Sequence, residues 1–195
     1  MPIPDLSVLA MLLCYSDVNE TAAQDSRSDE ALIAAANHGD TAAFEALYYR
    51  YRDWVAHMAF RFTGDRDLAL DVLQETFVYF SRKFPGFRLT AKLTTFLYPA
   101  VRNYSIAARR KNERFVSEVP ERAAEPHDDK REHVSEIISD LPEEQREVLL
   151  LRFVDGMSME EIAGALHIPA GTVKSRLHYA IKTLRESAAT KKLFE

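Results

Sequence analysis

The 195-residue sequence has a single cysteine, Cys14, only six glycines and one tryptophan. One cysteine cannot form a disulfide within the chain, and such usage is typical of a reducing cytosol. Few glycines, no Asn-Gly hairpin signal and no long alternation of apolar and polar residues argue against a β-sheet. With 47% hydrophobic residues, the composition favours folded helical domains over disorder. We therefore predict an all-α protein.

Strongly apolar sequence is confined to residues 6–15, LSVLAMLLCY. Ten residues are too few to span a bilayer, which needs about 20. No lysine or arginine precedes this run and no small-residue cleavage site follows it, so we expect neither a signal peptide nor membrane insertion. We expect a cytoplasmic protein whose residues 1–28 are an N-terminal extension of undefined role.

The motifs of common enzymes and metal sites are also missing. The sequence has no GxxxxGK phosphate loop, no HExxH and no paired-cysteine metal motif, and its six histidines are scattered. We therefore expect no enzymatic activity, no catalytic or metal site, no cofactor and no small-molecule substrate.

The C-terminal part of the chain has the pattern of three short helices. Residues 141–184 read LPEEQREVLLLRFVDGMSMEEIAGALHIPAGTVKSRLHYAIKTL. Ser158 and Glu161 fit a capping box at the start of the second helix, and residues 167–169 form the turn before the third. Two helices joined by such a turn are typical of a helix-turn-helix. The residues expected on the buried side of the first helix are Val148, Leu149, Leu151 and Phe153.

The third helix of this segment has one apolar and one polar side. In a helix-turn-helix, the N-terminal residues of the second helix contact base edges, and basic neighbours bind phosphates. We predict Thr172, Ser175 and Arg176 as base contacts, with Lys174 and Lys182 on phosphates. The complete predicted DNA-binding set on this helix is Thr172, Lys174, Ser175, Arg176, His178, Tyr179 and Lys182.

Charge is unevenly distributed along a chain whose net charge is −5. Basic residues are concentrated at residues 102–114 and 174–192, and acidic residues between those zones. Each basic zone is a candidate electrostatic footprint for nucleic acid. The acidic balance elsewhere should weaken DNA binding by the free protein, because phosphate neutralisation supplies most non-specific affinity.

The N-terminal half predicts a bundle of about four helices over residues 29–114. Helix breaks are expected at Gly39, Gly64 and Pro85-Gly86, with the third helix running to about Phe84 and the fourth starting near Leu93. Residues 115–136 are charged and poor in large apolar groups, so they predict a flexible linker. Two small helical domains, 29–114 and 137–187, joined by that linker and followed by a tail at 188–195, are the expected organisation.

Both predicted domains resemble parts of bacterial sigma-70-type initiation factors. The motif LPEEQREVLLLRFVDGMSMEEIAGAL followed by GTVKSRLHYAIKTLRE resembles their region 4, while FTGDRDLALDVLQETFVYF and TTFLYPAVRNYSIAARRK resemble region 2. Two such domains with only a linker between them are similar to the extracytoplasmic-function (ECF) group. The resemblance covers about residues 29–187 and implies binding to core RNA polymerase and to promoter DNA. It also implies an anti-sigma factor as a partner.

The resemblance assigns expected roles to residues of the first domain. A region 2 helix of the family docks on the polymerase clamp helices through a D-x-x-Q-E pattern, here Asp71, Gln74 and Glu75 with Phe77 behind them. The next helix reads and melts the −10 element, which needs aromatic groups for a splayed base and a basic track for the backbone. Candidate −10 residues are Phe87, Lys92, Thr95, Phe96, Tyr98, Arg102, Asn103, Arg109 and Arg110.

Several positions depart from the family pattern. The family usually has tryptophan where Phe96 stands and often aspartate where Ala107 stands, and Phe96 itself is either a core residue or a base contact. Pro99 falls inside an expected helix, so we expect a kink or a helix start there. Pro169 replaces a frequent capping serine but suits the first turn of a helix.

Two functions are compatible with these patterns. The favoured one is a specificity subunit that binds core polymerase, contacts the −35 element through region 4 and opens the −10 element through region 2. The alternative is an autonomous helix-turn-helix regulator with an unrelated helical sensor domain. A sensor would not need both the Asp71, Gln74 and Glu75 face and the basic block at 102–114.

Overall fold

The computed structural model describes residues 25–116, 138 and 140–186. Within that part of the chain, the backbone forms seven α-helices and no β-strand, which confirms the predicted all-α fold. The chain divides into two compact units, Met1–Val119 and Pro120–Glu195. No helix in the described ranges is long and apolar enough to cross a membrane.

The helices of the first unit begin and end at residues with a local physical reason. Ser28, Asp40 and Asp65 are N-caps whose side chains each accept a backbone N–H of the following turn. Gly64, with φ of 67°, ends the second helix in the left-handed conformation that glycine adopts cheaply. The four helices are α1 (Asp29–Asn37), α2 (Thr41–Thr63), α3 (Arg66–Ser81) and α4 (Leu93–Val116).

Helix α3 ends earlier than the sequence predicts. It stops at Ser81 rather than near Phe84, and the N–H of Phe84 closes a turn on the carbonyl of Ser81 at 3.2 Å. Pro85 disfavours helical backbone at the residue before it, so the turn cannot continue as a helix. Residues 82–92 therefore form the loop between α3 and α4.

Helix α4 passes through Pro99 without interruption. The expected helix start at Pro99 was wrong, since α4 begins at Leu93. Proline removes one backbone hydrogen bond, but Leu93, Leu97 and Val101 are spaced four residues apart and are each 0% exposed. Burial of this apolar row on both sides of the proline offsets the unfavourable position.

The first unit is packed around aromatic side chains of α3. Phe77 and Phe80 are both 0% exposed, and the ring of Phe80 lies 5.5 Å from that of Phe44 and 5.2 Å from that of Phe84. Ring pairs at these distances add to the stabilisation from apolar burial. Because this face of α3 is buried, its opposite face is available to solvent.

Residues 25–28 belong to the first unit, although the sequence placed them in the N-terminal extension. Arg50 of α2 donates to the Asp29 carboxylate at 2.6 Å and to the carbonyl oxygens of Asp25 and Arg27. Arg27 in turn donates to Asp25 at 2.7 Å. These bonds attach the chain before α1 to the surface of α2.

The second unit contains three helices in the expected order. Ser158 accepts the N–H of Glu161 at 3.1 Å, and Glu161 accepts the N–H of Ser158 at 2.7 Å, so the predicted capping box is confirmed. His167, with φ of 54°, ends the second of these helices, and the carbonyl of Pro169 accepts the N–H groups of Thr172 and Val173 in the first turn of the third. The helices are α5 (Glu143–Phe153), α6 (Met159–Leu166) and α7 (Ala170–Glu186).

One predicted core residue of α5 is on the surface. Val148, Leu149 and Leu151 are buried as expected, but Phe153 is 64% exposed and the assignment was wrong. Phe153 is the last residue of α5, where the chain turns away, and it lies beside Val154, which is 66% exposed. Together they line an open apolar groove with Leu149 and Leu150.

Several expected segments lie outside the described residues. These are residues 1–24 of the N-terminal extension, most of the linker at 115–136, and the tail at 188–195. At the first edge of the linker, α4 extends to Val116, two residues beyond the predicted domain end.

Candidate nucleic-acid interface

Helix α7 separates its apolar and polar side chains as its sequence predicts. Val173, Leu177 and Ala180 are buried against the rest of the second unit. Thr172 and Arg176 are partly exposed, and the other five predicted contacts are exposed: Lys174, Ser175, His178, Tyr179 and Lys182. The helix therefore presents its polar residues along about three turns, as a groove-binding helix must.

Two of the proposed base contacts on α7 have partners within the protein. The Arg176 guanidinium makes an ion pair with Glu144 of α5, with 2.5 Å between Nη2 and Oε2. The Ser175 hydroxyl donates to the carbonyl of Thr172 at 3.0 Å. Lys182 pairs only at 4.0 Å with the exposed Glu186, so its ammonium group remains accessible to a phosphate.

In the first unit, two predicted −10 aromatics lie together at the start of α4. The rings of Phe87 and Phe96 are 4.6 Å apart, and Phe96 stacks on Tyr79 at 5.9 Å with 16° between the ring planes. Both phenylalanines are half-buried. Each one therefore contacts the aromatic core without being fully buried.

Two other predicted −10 contacts are buried. Tyr98 is 1% exposed, and its ring packs against Phe62 at 6.2 Å. Thr95 is 9% exposed. Direct contact between either side chain and DNA was therefore a wrong expectation, because both point into the unit. A buried and a base-stacking aromatic have the same sequence signature, which is why the sequence did not separate them.

The polar and basic −10 candidates follow one side of α4 and the loop before it. Asn103 and Arg110 are seven residues apart, so they lie on the same helical face, and both are exposed. Arg109 pairs with Glu113 at 3.6 Å, while its side chain stays 56% exposed. Lys92 is exposed and Arg102 half-buried. The arrangement gives a basic track along α4, the helix that also carries Phe96.

The predicted polymerase-docking face lies on α3. Asp71, Gln74 and Glu75 are all exposed and, at i, i+3 and i+4, share one face of the helix. Phe77 is 0% exposed, which agrees with its expected position behind this face. It lies behind the face and packs against Tyr48 of α2, with the ring centres 4.8 Å apart.

One side chain of this region was not identified from the sequence. The Asn37 side chain, at the end of α1, accepts the N–H of Gly86 at 2.7 Å and of Phe87 at 3.0 Å, and donates to the carbonyl of Phe87 at 2.8 Å. These bonds join positions 49 and 50 residues apart. No local pattern signals such a contact.

The described residues contain no cluster of three or more histidine, cysteine, aspartate or glutamate side chains arranged to hold a metal ion. The candidate binding features are the helix-turn-helix of the second unit, and the basic track on α4 and the acidic face on α3 of the first unit. This combination is that of a DNA-binding protein of two helical units.

Comparison with known proteins defines the family. Residues 47–115 match the family model for sigma-70 region 2, and residues 131–184 match that for sigma-70 region 4. The RNA polymerase sigma-H factor of Pseudomonas aeruginosa is 32% identical over a 173-residue alignment, and the match covers 78% of this chain and 89% of that protein. The ECF RNA polymerase sigma-E factor of Salmonella typhimurium is 32% identical over an alignment of the same length, and the match covers 78% of this chain and 90% of that protein.

A solved structure supports the same fold. The sigma factor RpoE of Bartonella quintana, crystallised with the anti-sigma factor NepR, aligns with a TM-score of 0.58 and 24% identity over 73% of this chain and 94% of its own. The chain belongs to the sigma-70 family of RNA polymerase sigma factors, in its extracytoplasmic-function group. It is a sigma factor that binds core RNA polymerase and directs promoter recognition and melting in transcription initiation.

Proposed function

We propose that the two units divide promoter recognition between them. The region 4-like domain proposed at 137–187, within the second unit, inserts α7 into the major groove at the −35 element. The region 2-like domain proposed at 29–114, within the first unit, docks on core polymerase and opens the −10 element, and residues 115–136 are the proposed linker. One observation carries this proposal: the chain has both sigma regions, in this order, and each falls in its own compact helical unit.

At the −35 element, Thr172, Ser175 and Arg176 are proposed to contact bases. Lys174 and Lys182 bind flanking phosphates, with His178 and Tyr179 beside them. The exposure of this side of α7 supports the assignment, since base edges can be reached only by side chains that project from the helix. Arg176 must exchange Glu144 for DNA when it binds.

At the −10 element, Phe87 and Phe96 are proposed to stack on an unpaired base of the non-template strand. Both residues are only half-buried, which supports this role, because a base can stack only on an aromatic residue that is accessible. The strand's backbone is proposed to follow the exposed polar and basic residues along α4. These residues are Lys92, Arg102, Asn103, Arg109 and Arg110.

Asp71, Gln74 and Glu75 are proposed to dock on core polymerase, with Phe77 fixing α3 from behind. The three side chains offer hydrogen-bond acceptors on a single exposed face and suit a basic partner surface. An anti-sigma factor is a further proposed partner, because the similar sigma factor of Bartonella quintana was crystallised with one. Such a partner would occlude the DNA and polymerase surfaces.

We further propose that the protein acts in the cytoplasm, where promoter DNA and core polymerase meet, and that it is not an enzyme. The chemistry of RNA synthesis would belong to the polymerase. The comparisons do not favour the alternative of an autonomous regulator, because a sensor domain would have no reason to match region 2.

Reconstitution with core RNA polymerase tests the proposal. Run-off transcription on a library of genomic promoter fragments should give transcripts that require both core enzyme and this protein. Changing Asp71, Gln74 and Glu75 together to alanine should abolish binding to core, whereas Asp53→Ala, at an exposed acidic residue of α2, should not. Normal core binding by the triple variant would refute the docking assignment.

A further inference from the structure

We infer that Asn37 is a positioning residue for −10 recognition. This inference rests on the proposed function, in which the first unit captures the −10 strand. Asn37 lies at the end of α1 and outside α4. Its side chain nevertheless determines the backbone conformation of the loop that presents Phe87 to solvent.

The geometry of the Asn37 contacts is that of a clamp. Its amide oxygen accepts the N–H of Gly86 at 2.7 Å and of Phe87 at 3.0 Å, and its amide nitrogen donates to the carbonyl of Phe87 at 2.8 Å. The amide group therefore binds both backbone polar groups of Phe87. A residue whose N–H and C=O are both bonded has a restrained backbone, which fixes the direction of its Cα–Cβ bond.

Gly86 makes this clamp possible. Its φ is +101°, a conformation that residues with a side chain rarely adopt. This backbone orientation directs the N–H groups of both Gly86 and Phe87 towards the same amide oxygen. The loop geometry thus depends on two residues, Asn37 and Gly86, neither of which is a proposed DNA contact.

The clamp is connected directly to the proposed base-stacking pair. The ring of Phe87 lies 4.6 Å from that of Phe96 and 5.3 Å from that of Phe80. If the backbone at Phe87 shifts, its ring moves relative to Phe96, and the surface offered to an unpaired base changes shape. Displacements of about 1 Å in a recognition site are enough to cost large factors in productive binding.

A purely structural role for Asn37 makes a different prediction. Loss of the three hydrogen bonds would then lower the stability of the whole unit, and core binding and promoter binding would weaken together. A positioning role predicts a selective loss of discrimination at −10. The two roles are therefore distinguished by base preference, not by overall activity.

The test uses holoenzyme and the strongest promoter found in the library experiment. Binding is measured for single-stranded non-template −10 oligonucleotides in which each base is replaced in turn. Asn37→Ala should reduce the preference for the natural base at one or two adjacent positions by roughly tenfold. Affinity for core enzyme and for the −35 duplex should stay within about twofold of wild type.

Two further variants complete the experiment. Gly86→Ala should cause the same selective loss of −10 base preference, because it changes the backbone that Asn37 binds. This variant replaces Asn37→Ala in the test if Asn37→Ala folds poorly. His38→Ala is the matched control, because His38 is the neighbouring residue and its ring nitrogen bonds to α1, at the carbonyl of Ala34 at 2.8 Å. It should behave as wild type.

Three results would overturn the inference. Unchanged base preference in both Asn37→Ala and Gly86→Ala would do so, as would an equal loss of core, −35 and −10 binding in both variants. Absence of any −10 preference in wild-type holoenzyme would remove the proposed −10 role, and the inference with it. The first two results leave the proposed function intact, so the failures are distinguishable.

Discussion

Arg176 of α7 and Glu144 in the first turn of α5 form an ion pair with 2.5 Å between Nη2 and Oε2. The arginine side chain is 23% exposed, whereas the glutamate side chain is 68% exposed. The carboxylate therefore sits at the surface and covers part of the guanidinium fork that would contact DNA. If Arg176 contacts bases as proposed, the promoter must compete with Glu144 for the guanidinium N–H donors.

Removal of this competition should strengthen binding at −35. Glu144→Gln should raise the affinity of holoenzyme for a −35 duplex by roughly two- to fivefold, because an exposed ion pair contributes about 0.2–1 kcal/mol. Fluorescence anisotropy with a labelled −35 duplex measures this affinity. Glu143→Gln removes the same charge from the same turn and is the control. An equal increase in both variants would show that only net charge matters.

Arg176 and Lys182 should affect DNA binding in different ways. Arg176→Ala should cost about 1–3 kcal/mol at one −35 base pair and leave binding to other sequences nearly unchanged. Lys182→Ala should weaken binding to all sequences and lower the slope of log affinity against log salt by about one. Anisotropy titrations at several salt concentrations test both. Uniform losses from Arg176→Ala would exclude base contact.

The capping box of α6 should behave as one cooperative unit. Ser158→Ala should destabilise the second unit by about 1 kcal/mol, since it leaves the N–H of Glu161 without its acceptor. The double variant with Ser158→Ala and Glu161→Ala should lose less stability than the sum of the losses in the two single variants, because both hydrogen bonds belong to one motif. Urea unfolding followed by circular dichroism measures these values. Ser81→Ala, at the end of α3, should change stability by less than about 0.5 kcal/mol.

Features determined by neighbouring residues could be predicted from the sequence. The capping box of Ser158 and Glu161, the helix end at Gly64 and the buried row of Val173, Leu177 and Ala180 all depend on residues within one or two helical turns. Their physics is local, so their spacing predicts them. The family resemblance then predicted that the first domain is region 2 and the second is region 4.

Features determined by distant contacts could not be predicted in this way. Asn37 meets Gly86 and Phe87 only after the chain has folded, and nothing in its immediate sequence indicates a clamp. Tyr98 has the composition of a base-stacking residue, yet the fold buries it. Sequence patterns therefore predict which helices carry the candidate side chains, but not which of those side chains are buried.

The attachment of residues 25–28 to the first unit should depend on pH in acid. A hydrogen bond from Arg27, the largest cause, lowers the pKa of Asp25 from 3.8 to about 2. Because the folded-state pKa is depressed, the stabilisation by Asp25 is present above pH 3.8 and is lost as the pH falls through about 2. The Asp25→Asn variant should therefore have a lower melting temperature than wild type at pH 5. This difference in melting temperature should disappear near pH 2.

Thermal denaturation at pH 5, 4, 3 and 2 tests this dependence. Arg27→Ala provides the matched background, because it removes the group that lowers the pKa of Asp25. In that background, Asp25→Asn should have a smaller effect at pH 5. If the difference in melting temperature between Asp25→Asn and wild type stayed constant from pH 5 to pH 2, the stabilising role assigned to the Asp25 carboxylate would be contradicted.

Because Leu151 is buried and Phe153 is exposed, their alanine variants should differ in the free energy of unfolding. Leu151 is 1% exposed and Phe153 is 64% exposed, although they are two residues apart in α5. Leu151→Ala should cost about 2–5 kcal/mol because it leaves a cavity in the second unit, whereas Phe153→Ala should cost less than about 1 kcal/mol. Chemical denaturation of the full chain measures both changes. A large loss from Phe153→Ala would mean that this ring is buried in solution, as its sequence position first suggested.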